Sequence, residues 1–199
     1  MNKLLLFLLL FQTPQPDWKL TTNQAGIYIY TGTTSAKQVK PIKVECALKA
    51  SPAQLLAVLL DIKSYPEWVY HTKSATLVKQ FSPQDLYYYS EVNIPWPGQN
   101  RDFVSHVTVT KDVQTGEITV DAPNVEGFIP EKKGIVRTHT SRGRWIITPD
   151  GTGSVKVVYY LQIDAGTGAP TWMVNLFVTE GPLQTFKNLR LQLQKARYL

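Results

Sequence analysis

The sequence predicts an α+β protein in which a curved antiparallel sheet wraps around a long C-terminal helix. Residues 170–199 open with a proline, which suits the first position of a helix, and apolar residues then recur at spacings of three and four. Upstream, short stretches rich in β-branched and aromatic residues follow one another through hairpin-length turns. A sheet with one solvated face must cover its other face, and the helix is the available cover.

The predicted C-terminal helix has one apolar face and one irregularity. Lys187, Asn188 and Gln192 are expected to lie away from the apolar face. Gly181-Pro182 predicts a kink or a short break, because proline lacks a backbone donor and crowds the preceding turn. The apolar face is predicted to contain Trp172, Leu176, Leu183, Phe186 and Leu193.

The first 16 residues carry the pattern of an export signal. One lysine precedes a continuous apolar run at residues 4–11, which is shorter than the roughly 20 residues needed to span a bilayer. The alternative is a short membrane-associated or buried segment. We expect a protein of the periplasm or the extracellular space, with the folded domain at residues 17–199. Cys46 is the single cysteine, so no intramolecular disulfide can form.

Alternation of apolar and polar residues predicts the first strands, and a capping motif predicts the first helix. Residues 25–31 are predicted to form a strand, and residues 42–48 alternate with a period of two that buries Cys46 as a small apolar residue. Ser51 and Gln54 form a capping box that opens a helix, and the helix ends before Ser64. Trp68 is expected to close one end of the sheet.

Seven further strands are predicted before the C-terminal helix. They cover residues 75–80, 86–94, 103–111, 117–122, 134–141, 144–149 and 154–164. In the last of these strands, Val155, Val157, Tyr159, Leu161 and Ile163 share one face. Periodicity leaves open whether the space between sheet and helix is hollow or filled.

Composition and motifs limit the classes of function that this chain could have. The chain has 199 residues, of which 43% are hydrophobic and 18% charged, which is typical of one globular domain. Its net charge of +6 is spread along the sequence and forms no nucleic-acid-binding pattern, although weak attraction to anionic membranes is compatible with it. The three histidines lack metal-ligand spacing, and no catalytic elbow or phosphate-binding glycine loop occurs. We therefore expect no metal and no cofactor.

Several motifs, taken together, resemble one known family. They are Ile94-Pro95-Trp96-Pro97, Asn100-Arg101-Asp102-Phe103-Val104, the segment from Pro130 to Arg137, the segment from Gly143 to Pro149, and Pro170-Thr171-Trp172-Met173-Val174-Asn175. In this order and near this spacing they resemble the START (StAR-related lipid-transfer) domain, over residues 17–195. The resemblance implies the helix-grip fold, a tunnel between sheet and terminal helix, and non-catalytic binding of a lipid or other apolar molecule. We expect the protein to be a monomer.

The resemblance also implies a gate and transient contact with membranes. The gate would be the loop at residues 123–133, where Phe128, Ile129 and Pro130 would form a lid or a membrane-touching tip. Packing of the same residues as an ordinary hairpin is the alternative. Val107 and Tyr88 align with positions where some sterol-handling members place a charged pair, so we expect a more apolar wall than a sterol site has.

The predicted ligand-binding residues come from the strands, the loop and the helix. Arg101 is a candidate for contact with a lipid head group. The alternative, which we favour, is that Arg101 and Asp102 pair with the terminal helix, since a buried charge needs a partner. The aromatic residues in the set also fit an ordinary core. The set is Tyr88, Arg101, Phe103, Ser105, Val107, Phe128, Ile129, Trp145, Tyr159, Trp172, Leu176 and Leu183.

Two other classes of function remain open. A cyclase-like or hydrolase-like enzyme of the same fold would need an acid or base such as His106 or Asp102 in the cavity. Both residues have the opposite parity to Phe103 on their strand, which argues against that role. An interaction module without a ligand would have its tunnel filled by side chains.

Overall fold

The computed structural model describes residues 17–33, 41–163, 172 and 176–199. The predicted export signal at residues 1–16 and the predicted start of the terminal helix at residues 170–175, apart from Trp172, lie outside the described residues. Within the described part of the chain, no helix combines the length and the apolar character needed to cross a bilayer.

Ten strands form one open sheet. Their spatial order is β1-β2-β3-β10-β9-β7-β6-β5-β4, with antiparallel neighbours throughout, and β8 pairs in parallel with β6. The strands are β1 (Trp18–Gln24), β2 (Ile27–Gly32), β3 (Ile42–Leu48), β4 (Thr72–Ser82), β5 (Asp85–Val92), β6 (Arg101–Lys111), β7 (Ile118–Pro123), β8 (Val136–Arg137), β9 (Ser141–Pro149) and β10 (Val155–Ile163).

The helices occupy the connection between β3 and β4 and the C-terminal segment. They are α1 (Pro52–Leu60), a 3₁₀ turn (Ile62–Ser64), α2 (Tyr65–Trp68), a π-helical turn (Leu176–Glu180), α3 (Gly181–Gln192) and a final 3₁₀ turn (Ala196–Tyr198). The predicted capping box is present, because the Gln54 N–H donates to Ser51 Oγ at 3.1 Å and the Ser51 N–H donates to Gln54 Oε1 at 3.4 Å.

Two strands differ from the prediction: one was missed and one is shorter than predicted. The prediction missed β1, whose sequence is largely polar and whose Leu20 side chain is exposed. The strand predicted at residues 134–141 is reduced to Val136–Arg137, because the segment pairs with Arg101 and Asp102 of β6 and then leaves the sheet before β9 begins.

The π-helical turn lies directly before Gly181-Pro182, where a break was predicted. A Cβ atom added to Gly181 would lie 2.8 Å from the Leu176 carbonyl oxygen, which is closer than a side chain can approach. Pro182 has no N–H for the regular helical bond. The wider turn therefore fits both residues, since π-helical turns occur where the regular hydrogen-bond ladder is interrupted.

Gln192 is buried, which corrects its predicted place on the polar side of the helix. Its Nε2 donates to the Tyr198 hydroxyl at 3.1 Å and to Glu67 Oε2 at 3.3 Å. Lys195 and Arg197 also donate to Glu67 Oε2, each at 2.6 Å, and they lower the pKa of the Glu67 carboxyl to about 2. A polar side chain is tolerated in the core when it has such partners, and this cluster fastens the C-terminal segment to α2.

Candidate functional site

The inner face of the sheet divides into a packed half and a hollow half. In β10, Val155 and Val157 are buried in the core, whereas the next inward positions, from Tyr159 to Ile163, line a cavity. In β9, Ile147 is buried in the core, whereas Trp145 and the two inward positions before it line the same cavity. The boundary between the packed half and the hollow half lies at the same level in β9 and β10, because Val157 pairs with Ile147 and Tyr159 pairs with Trp145.

Small side chains explain why one half stays hollow. The inward positions beyond the boundary include Ser90 in β5, Ser105 in β6, Ala122 in β7, and Ser141 and Gly143 in β9. In the packed half, β3 and β10 instead contribute larger aliphatic side chains that face α1 and α3. Interiors normally pack at crystal-like density, so a cluster of small inward residues leaves free volume between the strands and the helix.

The cavity has a volume of about 190 Å³ and lies between the sheet and the helical segments. The C-terminal helix covers it from the π-helical turn to the middle of α3, and α1, α2 and the residues after α2 close one side. The helical and connecting residues in its wall are Leu59, Tyr65, Trp68, Val69, Tyr70, Phe177, Gly181, Pro182, Thr185 and Phe186.

The cavity wall has no charged side chain among the described residues that form it. Its polar groups are mainly hydroxyls. The Ser90 hydroxyl donates to the Ser74 carbonyl at 3.3 Å, and the Ser105 hydroxyl donates to Asn124 Oδ1 at 3.0 Å. These contacts use the serine protons and leave oxygen lone pairs as acceptors.

Tyr65, Tyr88 and Tyr159 place phenol groups around the cavity. Burial raises the pKa of Tyr88 to about 12 and raises those of Tyr65 and Tyr159 as well, because a phenolate is poorly solvated there. All of these phenols are therefore neutral near pH 7. The Tyr65 hydroxyl donates to the Leu59 carbonyl at 2.7 Å, and the Tyr65 and Tyr88 rings meet edge to face.

Comparison with known proteins places this architecture in a family. A family model described as the START domain matches residues 3–198 of the chain. The chain belongs to the START domain family. Its sheet and C-terminal helix have the helix-grip arrangement expected from the sequence motifs.

Similar sequences and a similar solved structure support the assignment to that family. An uncharacterized protein of Pseudomonas aeruginosa is 32% identical over 179 residues, covering 90% of this chain and 88% of that protein. The phosphatidylcholine transfer protein of Mus musculus is 28% identical over 181 residues, covering 87% of this chain and 82% of the relative. The crystal structure of a STAR-related lipid transfer protein from Xanthomonas axonopodis is 31% identical, has a TM-score of 0.81, and covers 89% of this chain and 99% of that chain.

Part of the predicted ligand-binding set lines the START-domain cavity. These residues lie on strands, where alternation alone determines which side chains face inward. Ser90, Ser141 and Gly143 were missed, although they share parity with the predicted Tyr88 and Trp145 on the same strands. The predicted residues in the cavity wall are Tyr88, Phe103, Ser105, Val107, Trp145 and Tyr159.

Phe128 and Ile129 lie away from the cavity, which corrects their predicted place. The Phe128 ring stacks on Tyr87 with centroids 4.3 Å apart, and Tyr87 has the opposite parity to the inward Tyr88. Arg137 holds the same loop, because its Nη1 donates to the Ile129 carbonyl at 3.0 Å. The loop therefore folds onto the outer face of the sheet.

Trp172, Leu176 and Leu183 are also absent from the cavity wall, although all are described residues. The π-helical turn explains the shift, because one extra residue in a turn rotates the flanking positions by about 100° relative to each other. Phe177 faces the cavity instead of Leu176. Leu183 packs beside the core, and the Trp172 ring lies next to Gly98, where an added Cβ would come within 3.2 Å of it.

The charged residues at the start of β6 do not line the cavity either. Asp102 is buried and accepts hydrogen bonds from Arg137 Nε at 2.7 Å and Nη2 at 3.1 Å, so its partner is β8 and not the predicted terminal helix. Arg101 is half-buried and lies outside the cavity wall. His106, the other candidate acid or base, contacts Asp85 Oδ1 at 2.8 Å and stacks on Tyr87, on the outer face of the sheet.

Proposed function

We propose that this protein holds one lipid or other apolar molecule in the cavity between the sheet and the C-terminal helix, and carries it through water. The observation that carries this proposal is the hollow half of the fold, with its aromatic and aliphatic wall. Each CH₂ group moved out of water contributes about 0.8 kcal/mol, so such a wall binds acyl chains without a reactive residue. The family, and the relatives named as lipid transfer proteins, support the same function.

The compartment is part of the proposal. A protein exported to the periplasm or secreted would meet lipids only at membrane surfaces separated by water, and a carrier with an enclosed cavity suits that setting. The sequence pattern of residues 1–16 supports export.

Native mass spectrometry of the purified protein, followed by solvent extraction, tests the carrier function. We expect an apolar molecule retained at about one per chain, because a non-polar guest leaves an enclosed apolar site slowly. A protein that retains nothing and takes up nothing from lipid vesicles contradicts the proposal. Turnover of an added ester or polyketide, with no retained lipid, would instead favour the enzyme of the same fold.

We further propose that the loop between β5 and β6 contacts the membrane when lipid is exchanged. Trp96 in this loop is 92% exposed, and Trp172 beside the loop is 39% exposed. The loop joins Val92 of β5 to the start of β6, so it adjoins the hollow half of the fold. Tryptophan rings favour the interface between lipid and water, and the net charge of +6 favours anionic surfaces.

A Trp96→Ala variant is expected to bind anionic vesicles several-fold more weakly, because it loses the interfacial ring. The matched control is Val113→Ala, which changes a residue that is 95% exposed beyond the opposite end of β6. Co-sedimentation with vesicles measures the difference. Equal binding by the two variants would show that this loop does not meet the membrane.

A further inference from the structure

We propose that the cavity takes a single hydrocarbon chain, so that the ligand is a single-chain amphiphile, and that an aromatic floor limits the length of chain it encloses. The proposal rests on the carrier function proposed above and names its ligand class. The floor consists of the inward residues where the hollow half meets the packed half: Val107 of β6, Val120 of β7, Trp145 of β9, Tyr159 of β10 and Phe186 of α3.

The floor separates the cavity from the packed core. Val120 pairs with Trp145, and Trp145 pairs with Tyr159, so these residues form a continuous row across three neighbouring strands. Two positions further along the same strands, the inward residues are the buried core residues Ile118, Ile147 and Val157. A chain that enters from the end next to the β5–β6 loop therefore stops at this row, because the core beneath it is already filled.

The three rings of the floor hold one another in place. The centroid of the Trp145 ring lies 4.3 Å from that of Tyr159 and 5.3 Å from that of Phe186. The Tyr159 and Phe186 centroids are 6.0 Å apart, and Phe186 is fully buried. Rings that pack on each other in this way keep their positions when a chain end meets them, so the depth of the cavity is fixed.

The volume of the cavity fits one chain and not two. Its 190 Å³ is little more than the roughly 150 Å³ that holds one benzene molecule, whereas a lipid with two long acyl chains is many times larger than benzene. By the same comparison, the enclosed chain has about eight carbons. The polar end of the ligand stays near the β5–β6 loop, where Trp96 is exposed to water, because burying a polar group without a partner is costly.

A series of 1-alkanols with 6 to 12 carbons tests the length limit, with affinity for the full protein measured by isothermal titration calorimetry. Each added CH₂ is expected to raise the affinity about fourfold until the chain reaches the floor, and further carbons are expected to add little. An affinity that keeps rising at that rate through 12 carbons overturns the length limit and leaves the carrier function standing. Binding of no alkanol overturns this inference, and the carrier function falls with it only if the purified protein also retains and takes up no lipid.

The number of chains is tested with octanoyl lysophosphatidylcholine and dioctanoylphosphatidylcholine, below the concentrations at which either forms micelles. The two lipids share their headgroup and chain length and differ in having one chain or two. We expect similar affinities, because only one chain would leave the water. A more than tenfold preference for the two-chain lipid would show that the second chain is also buried, and would overturn the single-chain assignment.

Two floor variants are expected to shift the length limit in opposite directions. Trp145→Leu removes a ring and deepens the cavity, so affinity should keep rising to longer alkanols than in the unaltered protein. Val120→Met adds bulk to the floor, so affinity should level off at shorter alkanols, and this variant decides by itself if Trp145→Leu does not fold. Trp18→Leu is the matched control, because Trp18 lies outside the cavity wall and packs near Tyr160. An unchanged length limit in the folded floor variants shows that the floor is wrongly assigned.

Discussion

An Ala122→Phe variant is expected to lose nearly all lipid uptake while it remains folded. Ala122 lines the hollow half of the fold and pairs with Gly143 across β7 and β9, where the wall has its smallest side chains. A cavity of about 150 Å³ can hold a benzene molecule, so an added phenyl ring would fill much of the 190 Å³ present here. The new ring enters existing space, which limits its cost to folding. Lipid transfer between vesicles measures the loss, and circular dichroism verifies the fold.

The control for this variant is Thr119→Phe on the same strand. Thr119 has the opposite parity to Ala122, so the added ring points away from the cavity and lipid uptake should be unchanged. Undiminished uptake by a folded Ala122→Phe protein would contradict the placement of the ligand between β7 and the C-terminal helix.

Removing the Asp102 carboxylate is expected to cause the largest loss of stability. In an Asp102→Ala variant, the Arg137 guanidinium stays buried, with 8% of its side chain exposed, but loses the carboxylate that accepts two of its hydrogen bonds. Breaking one partner of a buried ion pair typically costs about 3–5 kcal/mol in the free energy of unfolding. The same carboxylate raises the pKa of Arg137, which agrees with a strong contact. Urea denaturation followed by circular dichroism measures the change.

The fold supplies a matched control in the pair between Asp121 and Arg142. That pair has similar geometry, with contacts of 2.8 and 2.6 Å, but the Arg142 side chain is 52% exposed. Exposed pairs contribute about 0–1 kcal/mol, so Asp121→Ala should change the unfolding free energy little. If the two alanine variants were equally stable, the buried pair would not hold β8 to β6 as the structure indicates.

Alternation along the strands made most of the sheet predictable. A strand such as β10 has an unbroken run of inward apolar residues, and one buried face fixes its position. β1 lacks that pattern because it lies at the edge of the sheet, where few side chains are buried. β8 was overextended because Arg137 is fixed by Asp102, a contact between residues distant in sequence that a local pattern does not contain.

The site was predictable on the strands and not on the helix. Phe103, Ser105 and Val107 share one face of β6 and line the cavity, and strand periodicity predicts that shared face without knowledge of the rest of the fold. The helical residues were displaced because a π-helical turn changes the face, and sequence shows only that Gly181-Pro182 disturbs the helix. The free volume arises where small residues of several strands lie side by side. Predicting it therefore requires the register between the strands.

The division of the inner face into a packed half and a hollow half also affects how new ligand preferences can arise. Substitutions at Ser90, Ser105 or Ser141 alter the chamber without changing the buried core side chains that hold the molecule together, such as Leu189 of α3 and Val155 of β10. Mutations in the hollow half can therefore change which ligand is bound with little effect on folding. A library randomised at these serine positions is a practical starting point for retargeting the protein to other guests.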